Sequence, residues 1–475
     1  MAITKTIDGR TYREIIVRFR NQEDLDKFND KLGLKPNTLT TFTKEIFLPD
    51  LTVKYKKPSK KRGRSETWKE NWVGMPYYIN EENEAYAKID IYFDEDHYDL
   101  EKIEELMEQE APKAKSLWFP KWIIGKERGL RVVGGNSDLK YPVYVISKGR
   151  AQMCKTSYFL SLCEVNHYVA VEPQEYEEYM STVGKSPYTT VIVMDMRFKD
   201  EYETYYEEQP GEERKTGPGA VRNFVWWHSM NVLGAKKHTV CDDNIQGLQL
   251  LTENKRLKVR TGAFLRAFED FTDAHTNVKI SSLNYRMFAA PNSYQPAYIY
   301  NTRMYSWQLI DNSLWDEGIK WRAKYNEDTI ISLDVMERGY ATLQTNFFLQ
   351  NKLGTQTLKG GNTDEFYAEE GTYNKSKMLV DLYPEVAELK WRFGRIHHYV
   401  DYSKYADIDP GFDPSLLPVS EGINDYGMYI VNIDDEDEYT YYDTKSGIEE
   451  KYHDKVVYRF DGTRYTELGK EFFEK

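Results

Sequence analysis

The sequence predicts an α/β protein: a Rossmann-type, largely parallel sheet core, with small α+β modules before it and a small antiparallel β appendage after it. Three observations carry this. Short apolar strands alternate with helical segments between residues 141 and 244. The first 125 residues hold a degenerate strand–helix repeat. From about Tyr426 the pattern changes to short alternating strands, with a hairpin signal at Asp461-Gly462. A length of 475 residues favours two or three domains. The expected organisation is 1–125 for the repeat, 138–420 for the core and 425–475 for the tail.

Copy one of the repeat is REIIVRFRNQEDLDKFNDKLGL (13–34), with a following run to Pro49. Copy two is YAKIDIYFDEDHYDLEKIEELMEQ (86–109), with a run to Pro120. Each opens on an alternating strand and continues as an acidic helix. The helical apolar positions are Leu25, Phe28 and Leu32 in one, Leu100, Ile103 and Leu106 in the other. Between them lies KYKKPSKKRGR (54–64), seven basic residues in eleven. Such a run is either a solvated linker or an arm that binds a polyanion by releasing its counterions. As an arm, it would contact DNA through Lys56, Lys57, Lys60, Lys61, Arg62 and Arg64.

GGNSD (134–138) punctuates the chain before the core. YPVYVIS (141–147), HYVAVEP (167–173), TTVIVMD (189–195) and KHTVCDDN (237–244) read as successive strands, with a helix around 151–163. Parallel sheets bind ligands at the carboxyl ends of their strands. No GxGxxG follows the first strand, which argues against an NAD-type site. In the tail, the acid run Asp434–Glu438 reads as a solvated turn rather than a metal site.

Composition narrows the function classes. Apolar residues make up 40% of the chain and aromatics 15%, too aromatic for disorder and too polar for a membrane protein. No run is long and apolar enough to span a bilayer, and MAITKTIDGRTYREI lacks the apolar stretch of a secretory signal. Cys154, Cys163 and Cys241 make no disulfide framework. A net charge of −13 argues against a wholly nucleic-acid-binding surface, though not against a local basic patch.

Four features could carry chemistry. Asp242-Asp243-Asn244 ends the strand HTVC at the ligand edge, where acids can hold Mg²⁺ or Mn²⁺ and bridge phosphates. A polar loop (201–224) ends in GPGAVRN, whose Gly217 and Gly219 allow close backbone approach and whose Arg222 opens a helix. Glu327 and Asp328 open EDTIISLDVMERG, as capping acids or as a proton acceptor for a hydroxyl. FGRIHHYVDY supplies His397 and His398, of which adjacent placement lets at most one face a given site.

The order of these features resembles metal-dependent GT-A glycosyltransferases. YPVYVISKGRAQMCKTSYFL, HYVAVEPQEYEEY, GPGAVRNFVWWHS, CDDNI, WRAKYNEDTIISLDVMERGY, GGNTDEFY and WRFGRIHHYVDY resemble the TET/JBP-associated glycosyltransferases of bacteriophages, over roughly 140–405. The resemblance implies a GT-A-like core that glycosylates hydroxylated pyrimidines in phage DNA. It implies a UDP-sugar donor carrying arabinose or glucose, double-stranded DNA with 5-hydroxymethylcytosine as acceptor, and Mn²⁺ or Mg²⁺. Ser147, Lys148, Arg150, Gly217, Gly219, Arg222 and Asp242 would bind the donor. Asp243 with His397 or His398 would hold the metal, and Glu327 or Asp328 would lie near the acceptor hydroxyl. The implied location is the host cytoplasm during infection. A sugar or polysaccharide acceptor, a metal-dependent nuclease and a non-catalytic DNA adaptor are the alternatives.

Overall fold

The structure is a computed structural model. It describes residues 3–7, 9–56, 67–76, 78, 85–110, 116–121, 130–205, 216–252, 255–290, 294–353, 371–392, 395–418, 426–432, 457–460 and 465–467. The chain divides into two compact units, residues 1–65 with 82–127, and residues 66–81 with 128–475.

In the first unit, β1 (Ile3–Ile7), β2 (Arg10–Phe19), α1 (Gln22–Lys31), β3 (Thr43–Leu48), β4 (Thr52–Tyr55), β5 (Ala87–Asp94), α2 (Leu100–Met107) and β6 (Ser116–Trp118) follow in order. The two repeat copies do not stand apart as separate modules. Their strands interleave in one sheet in the order β6-β2-β5-β3-β4, with β1 on the first half of β2's outer edge. β2 runs antiparallel to β5, while β6 runs parallel to β2 and β3 parallel to β5, so the two strands joined by each helix are antiparallel to one another. Alternation puts Ile15, Val17 and Phe19 of β2 and Ile89, Ile91 and Phe93 of β5 on one face. Leu25 and Phe28 of α1 and Ile103 and Met107 of α2 complete that core. Leu100 is exposed, because α2 starts there on its Asp99 cap and its buried stripe is set by Ile103 and Met107. Lys56 is exposed beyond β4, whereas Lys57, Lys60, Lys61, Arg62 and Arg64 lie outside the described residues.

The second unit contains β7 (Leu130–Gly134), β8 (Val143–Ile146), α3 (Lys155–Leu162), β9 (His167–Val171), α4 (Tyr176–Ser181), β10 (Thr189–Val193), α5 (Arg197–Asp200), α6 (Gly219–Asn231), β11 (Lys237–Asp242), β12 (Ile245–Thr252), β13 (Lys255–Val259) and α7 (Ala263–Asp273). It continues with β14 (Val278–Tyr285), β15 (Tyr298–Tyr300), β16 (Trp307–Asp311), α8 (Glu327–Glu337), β17 (Ala341–Lys352), α9 (Gly371–Leu382), β18 (Ala387–Arg392), β19 (Arg395–Val400), β20 (Met428–Asn432), β21 (Val457–Phe460) and β22 (Tyr465–Glu467). β10, β9, β8 and β11 are parallel neighbours in that order. Strand order therefore reverses between β8 and β11, the switch point at which open α/β sheets bind ligands.

The sheet then becomes mixed, through β16, β14, β17, β12 and β13 to β7. β20–β22 extend the sheet beyond β7 as antiparallel neighbours. Asp434–Glu438 and Asp461-Gly462 lie outside the described residues. Period-2 alternation divides the parallel strands between two helical layers. Val143, Val145, Val169 and Cys241 pack with α3 and α7, while Tyr144, Ile146, Ala170 and Val240 pack with α6 and α8. Residues 66–81 belong to this unit: Trp68 Nε1 donates to Tyr294 at 2.8 Å, and Trp72 meets the Phe271 ring at 4.8 Å. No helix among the described residues is long and apolar enough to cross a membrane.

Candidate active site

The switch point is built from the residues that leave β8 and β11. The turn after β11 carries Asp242 and Asp243, and the turn after β8 carries Ser147, Lys148 and Arg150. Asp243 is almost completely buried. It accepts from Ser147 Oγ at 2.7 Å and from Arg150 Nη1 at 2.8 Å. Ser147 Oγ also contacts Tyr179 OH at 2.6 Å, so α4 fixes its position. Burial raises the Asp243 pKa, although Arg150 and Ser147 act against this. Lys148 pairs with Glu172 at 3.2 Å, at the carboxyl end of β9.

Asp242 points to a different set of partners. Arg222 Nη2 donates to its Oδ1 at 2.7 Å, and Lys352 Nζ donates to its Oδ2 at 2.6 Å. Burial acts to raise its pKa, but Lys352 and Arg222 outweigh this and hold it at about 2. Lys352 also donates to Ser306 Oγ at 2.6 Å, and that hydroxyl contacts Tyr285 OH at 2.6 Å. Ser306 has φ of 58°, a left-handed conformation that is costly for a non-glycine residue, and its carbonyl accepts from Asp242 N at 2.9 Å.

Arg222 is 1% exposed and stacks on the Trp321 ring at 4.5 Å. The expected donor contact is thus a buried hub. Its other terminal nitrogen lies 3.2 Å from Asp328 Oδ1, and its Nε has no hydrogen-bond partner. Asp328 also accepts from Gln308 Nε2 at 3.1 Å. It does not cap its helix. Asn326 occupies the cap position with φ of 57° and turns its amide to the Lys375 carbonyl at 2.6 Å.

One guanidinium is therefore shared unequally by two carboxyls. The closer one, Asp242, is ionised. Burial, reinforced by Glu327 and Asp242, raises Asp328 to about 7 even though Arg222 acts to lower it. Two carboxyls pushed apart in pKa mark separate acid–base roles. Glu327 stands at the first position of α8, beside this cluster.

The glycines act through packing. Gly217 has φ of 61°, and a Cβ on Gly219 would fall 1.8 Å from Tyr202 OH. Tyr202 is buried, donating to the Ala323 carbonyl at 2.8 Å, so Gly219 lets α6 start against that ring. GGNTDEFY (360–367) lies outside the described residues.

His397 and His398 stand on β19. His397 Nε2 accepts from Arg395 Nε at 2.8 Å. Burial, together with Lys375, His397 and Arg303, lowers the His398 pKa to about 4. A divalent cation needs oxygen or nitrogen ligands not already committed to other cations. Both oxygens of Asp242 and both of Asp243 are committed, three of the four to Arg or Lys. Among the described residues, no group of three or more His, Cys, Asp or Glu could hold a metal ion. The residues expected as metal ligands do not fit Mn²⁺ or Mg²⁺ as they stand here. The structure does not bring Asp243, His397 and His398 together as a ligand set.

Lys352 had no local signal in the sequence. Ile245, just past the acid turn, pairs with Lys352 across β12 and β17, and this register alone delivers the amine to Asp242. Tyr179, Ser306 and Gln308 reach the site in the same non-local way.

No curated protein sequence matches the chain. The family model for TET-Associated Glycosyltransferase matches residues 141–361. That span runs from β8 through β17 and includes Asp242, Asp243, Arg222, Asp328 and Lys352. Over this span the chain is similar to the TET-associated glycosyltransferases, and its mixed α/β core is consistent with a GT-A-like fold.

Proposed function

We propose that the chain moves glucose or arabinose from a UDP-sugar to the hydroxyl of 5-hydroxymethylcytosine, or a related hydroxylated pyrimidine, in DNA. The observation that carries this is the shared guanidinium. It leaves a carboxyl that titrates near neutrality beside a bank of fixed cations at the strand-end switch point. In the transfer, the acceptor oxygen bonds to the anomeric carbon as the bond to the diphosphate oxygen breaks. The acceptor proton passes to Asp328, and the diphosphate leaves with the bonding pair. Ser147, Lys148 and Arg150 meet the nucleotide end of the donor. The reaction is a single displacement, which inverts the anomeric centre.

The β18–β19 hairpin supports a DNA acceptor. Register places Lys390 opposite His397 and Arg392 opposite Arg395, all on one face with Tyr399. The Lys390 ammonium lies 3.7 Å from the Tyr399 ring centroid and Arg392 4.8 Å from it. On the other face, Trp391 is 73% exposed. Clustered cations with an exposed aromatic suit a phosphate backbone and a base that can stack. In this reading Arg395 and His397 serve the acceptor, and the basic run at 54–64 adds a sequence-independent DNA contact.

The test incubates the protein with a panel of nucleotide sugars and duplexes carrying cytosine or 5-hydroxymethylcytosine, followed by mass spectrometry of the released nucleosides. A hexose or pentose gain on the modified base alone is expected. Donor turnover with no gain on DNA would move the acceptor to another sugar or a polysaccharide. Plasmid nicking without a sugar donor would favour the nuclease. Trp391→Ala with Arg392→Ala is expected to raise KM for duplex by about tenfold with donor binding unchanged, in line with the cost of one lost stacking contact. An unchanged KM would remove the hairpin from the acceptor site.

A further inference from the structure

We propose that the diphosphate leaving group is stabilised by side-chain cations alone, with Lys352 as the principal contact and no divalent metal. This rests on the glycosyl-transfer reading above and specifies its chemistry. A DXD-type metal site needs carboxylates with charge to spare. Here the oxygens of the pair are already held: Arg150, Arg222 and Lys352 face Asp242 and Asp243, and Ser147 takes the remaining oxygen. Cations fixed at this edge can meet a departing diphosphate directly, whereas carboxylates already bound to them leave a metal ion no free oxygen.

Geometry selects Lys352. Arg222 is sealed behind Trp321 and both acids, so it positions Asp242 and Asp328. The Lys352 side chain is 17% exposed. An ammonium has three N–H donors, and two are used, on Asp242 Oδ2 and Ser306 Oγ. Asp242 holds the amine protonated and in place, as its raised pKa reflects. As the C–O bond to the β-phosphate breaks, the pair goes to that oxygen. The third N–H of Lys352 and the Arg150 guanidinium take up the charge, while Asp328 holds the acceptor proton.

Binding and turnover test this separately. UDP, GDP and inorganic pyrophosphate are titrated calorimetrically into full-length protein stripped with EDTA, then with Mn²⁺ added. At least one diphosphate is expected to bind in EDTA, with Kd changed less than threefold by Mn²⁺. Lys352→Met is expected to weaken that binding about 10- to 100-fold, as for a lost charge-assisted hydrogen bond, and Lys352→Arg to recover most of it. Matching circular dichroism and melting curves show that both variants are folded. Sugar transfer, measured in parallel, should persist in EDTA. Diphosphate binding that requires Mn²⁺ and is lost in Asp243→Ala would overturn the proposal, as would binding unaffected by Lys352→Met. If diphosphates bind as expected but no sugar moves, the glycosyl-transfer reading fails and the cationic site stands.

Discussion

Replacing Asp328 by Asn is expected to lower the rate of sugar transfer about 10²- to 10⁴-fold while leaving donor binding nearly unchanged. The amide keeps the size of the carboxyl and an oxygen for Gln308 Nε2, which now lies 3.1 Å away. It cannot accept the proton of the acceptor hydroxyl. The same group sets the pH profile. In the proposed transfer Asp328 works as a carboxylate, and burial raises its pKa to about 7, so kcat/KM should climb as pH rises through about 7. The Asn variant should lose that limb. A carboxyl whose folded pKa is raised stabilises the fold fully below its ordinary value of 3.8, and that contribution is lost as pH rises through about 7. Asp328→Asn should therefore be no less stable than the native chain at pH 8, which separates lost chemistry from lost structure. Single-turnover rates across pH 5.5–9 decide it (roughly spanning the Asp328 titration). A variant within threefold of the native rate, or one that keeps the rising limb, would assign the base elsewhere.

The parallel strands were legible because each is a short apolar run; β8, β9 and β11 are largely buried on both faces, while β10, at the edge of the parallel set, exposes Thr190 and Val193. All four appear at the expected places, with the acids at the carboxyl end of the last. Asp242 and Asp243 could be read as a pair but not as two different groups. Only the fold shows that one turns to Arg150 and Ser147 and the other to Arg222 and Lys352. Arg222 was legible as a residue at a helix start and expected to meet the donor, whereas it is a buried cation between Asp242 and Asp328. Its burial depends on Trp321, about 100 residues away. Lys352 was invisible for the same reason, because register between distant strands has no trace in local pattern. The repeat was legible as two copies. That they share a single sheet was not, since helix and strand periodicity report which face is buried but not which strand lies alongside.

Arg222→Leu should give the largest loss of stability of any single change in the site, about 3–5 kcal/mol, because it leaves buried carboxyls without their shared cation. The side chain is 1% exposed, so water cannot take over its role. Asp242 would keep Lys352, and Asp328 would keep only Gln308. The loss should depend on pH in a definite sense. Below about 7 Asp328 is protonated and asks little of Arg222; above it, the ionised group is stranded. The deficit in urea unfolding should thus be greater at pH 8 than at pH 5.5. Arg222→Lys should recover part of the stability and little of the activity. An ammonium carries the charge but cannot hold two carboxyls in one plane or stack flat on Trp321. A deficit under about 1 kcal/mol, the range of exposed ion pairs, would mean that Arg222 is not the keystone of this cluster. A deficit that does not change with pH would mean that Asp328 titrates independently of it. Both outcomes bear on catalysis, because the same unequal sharing that ionises Asp242 leaves Asp328 free to accept a proton.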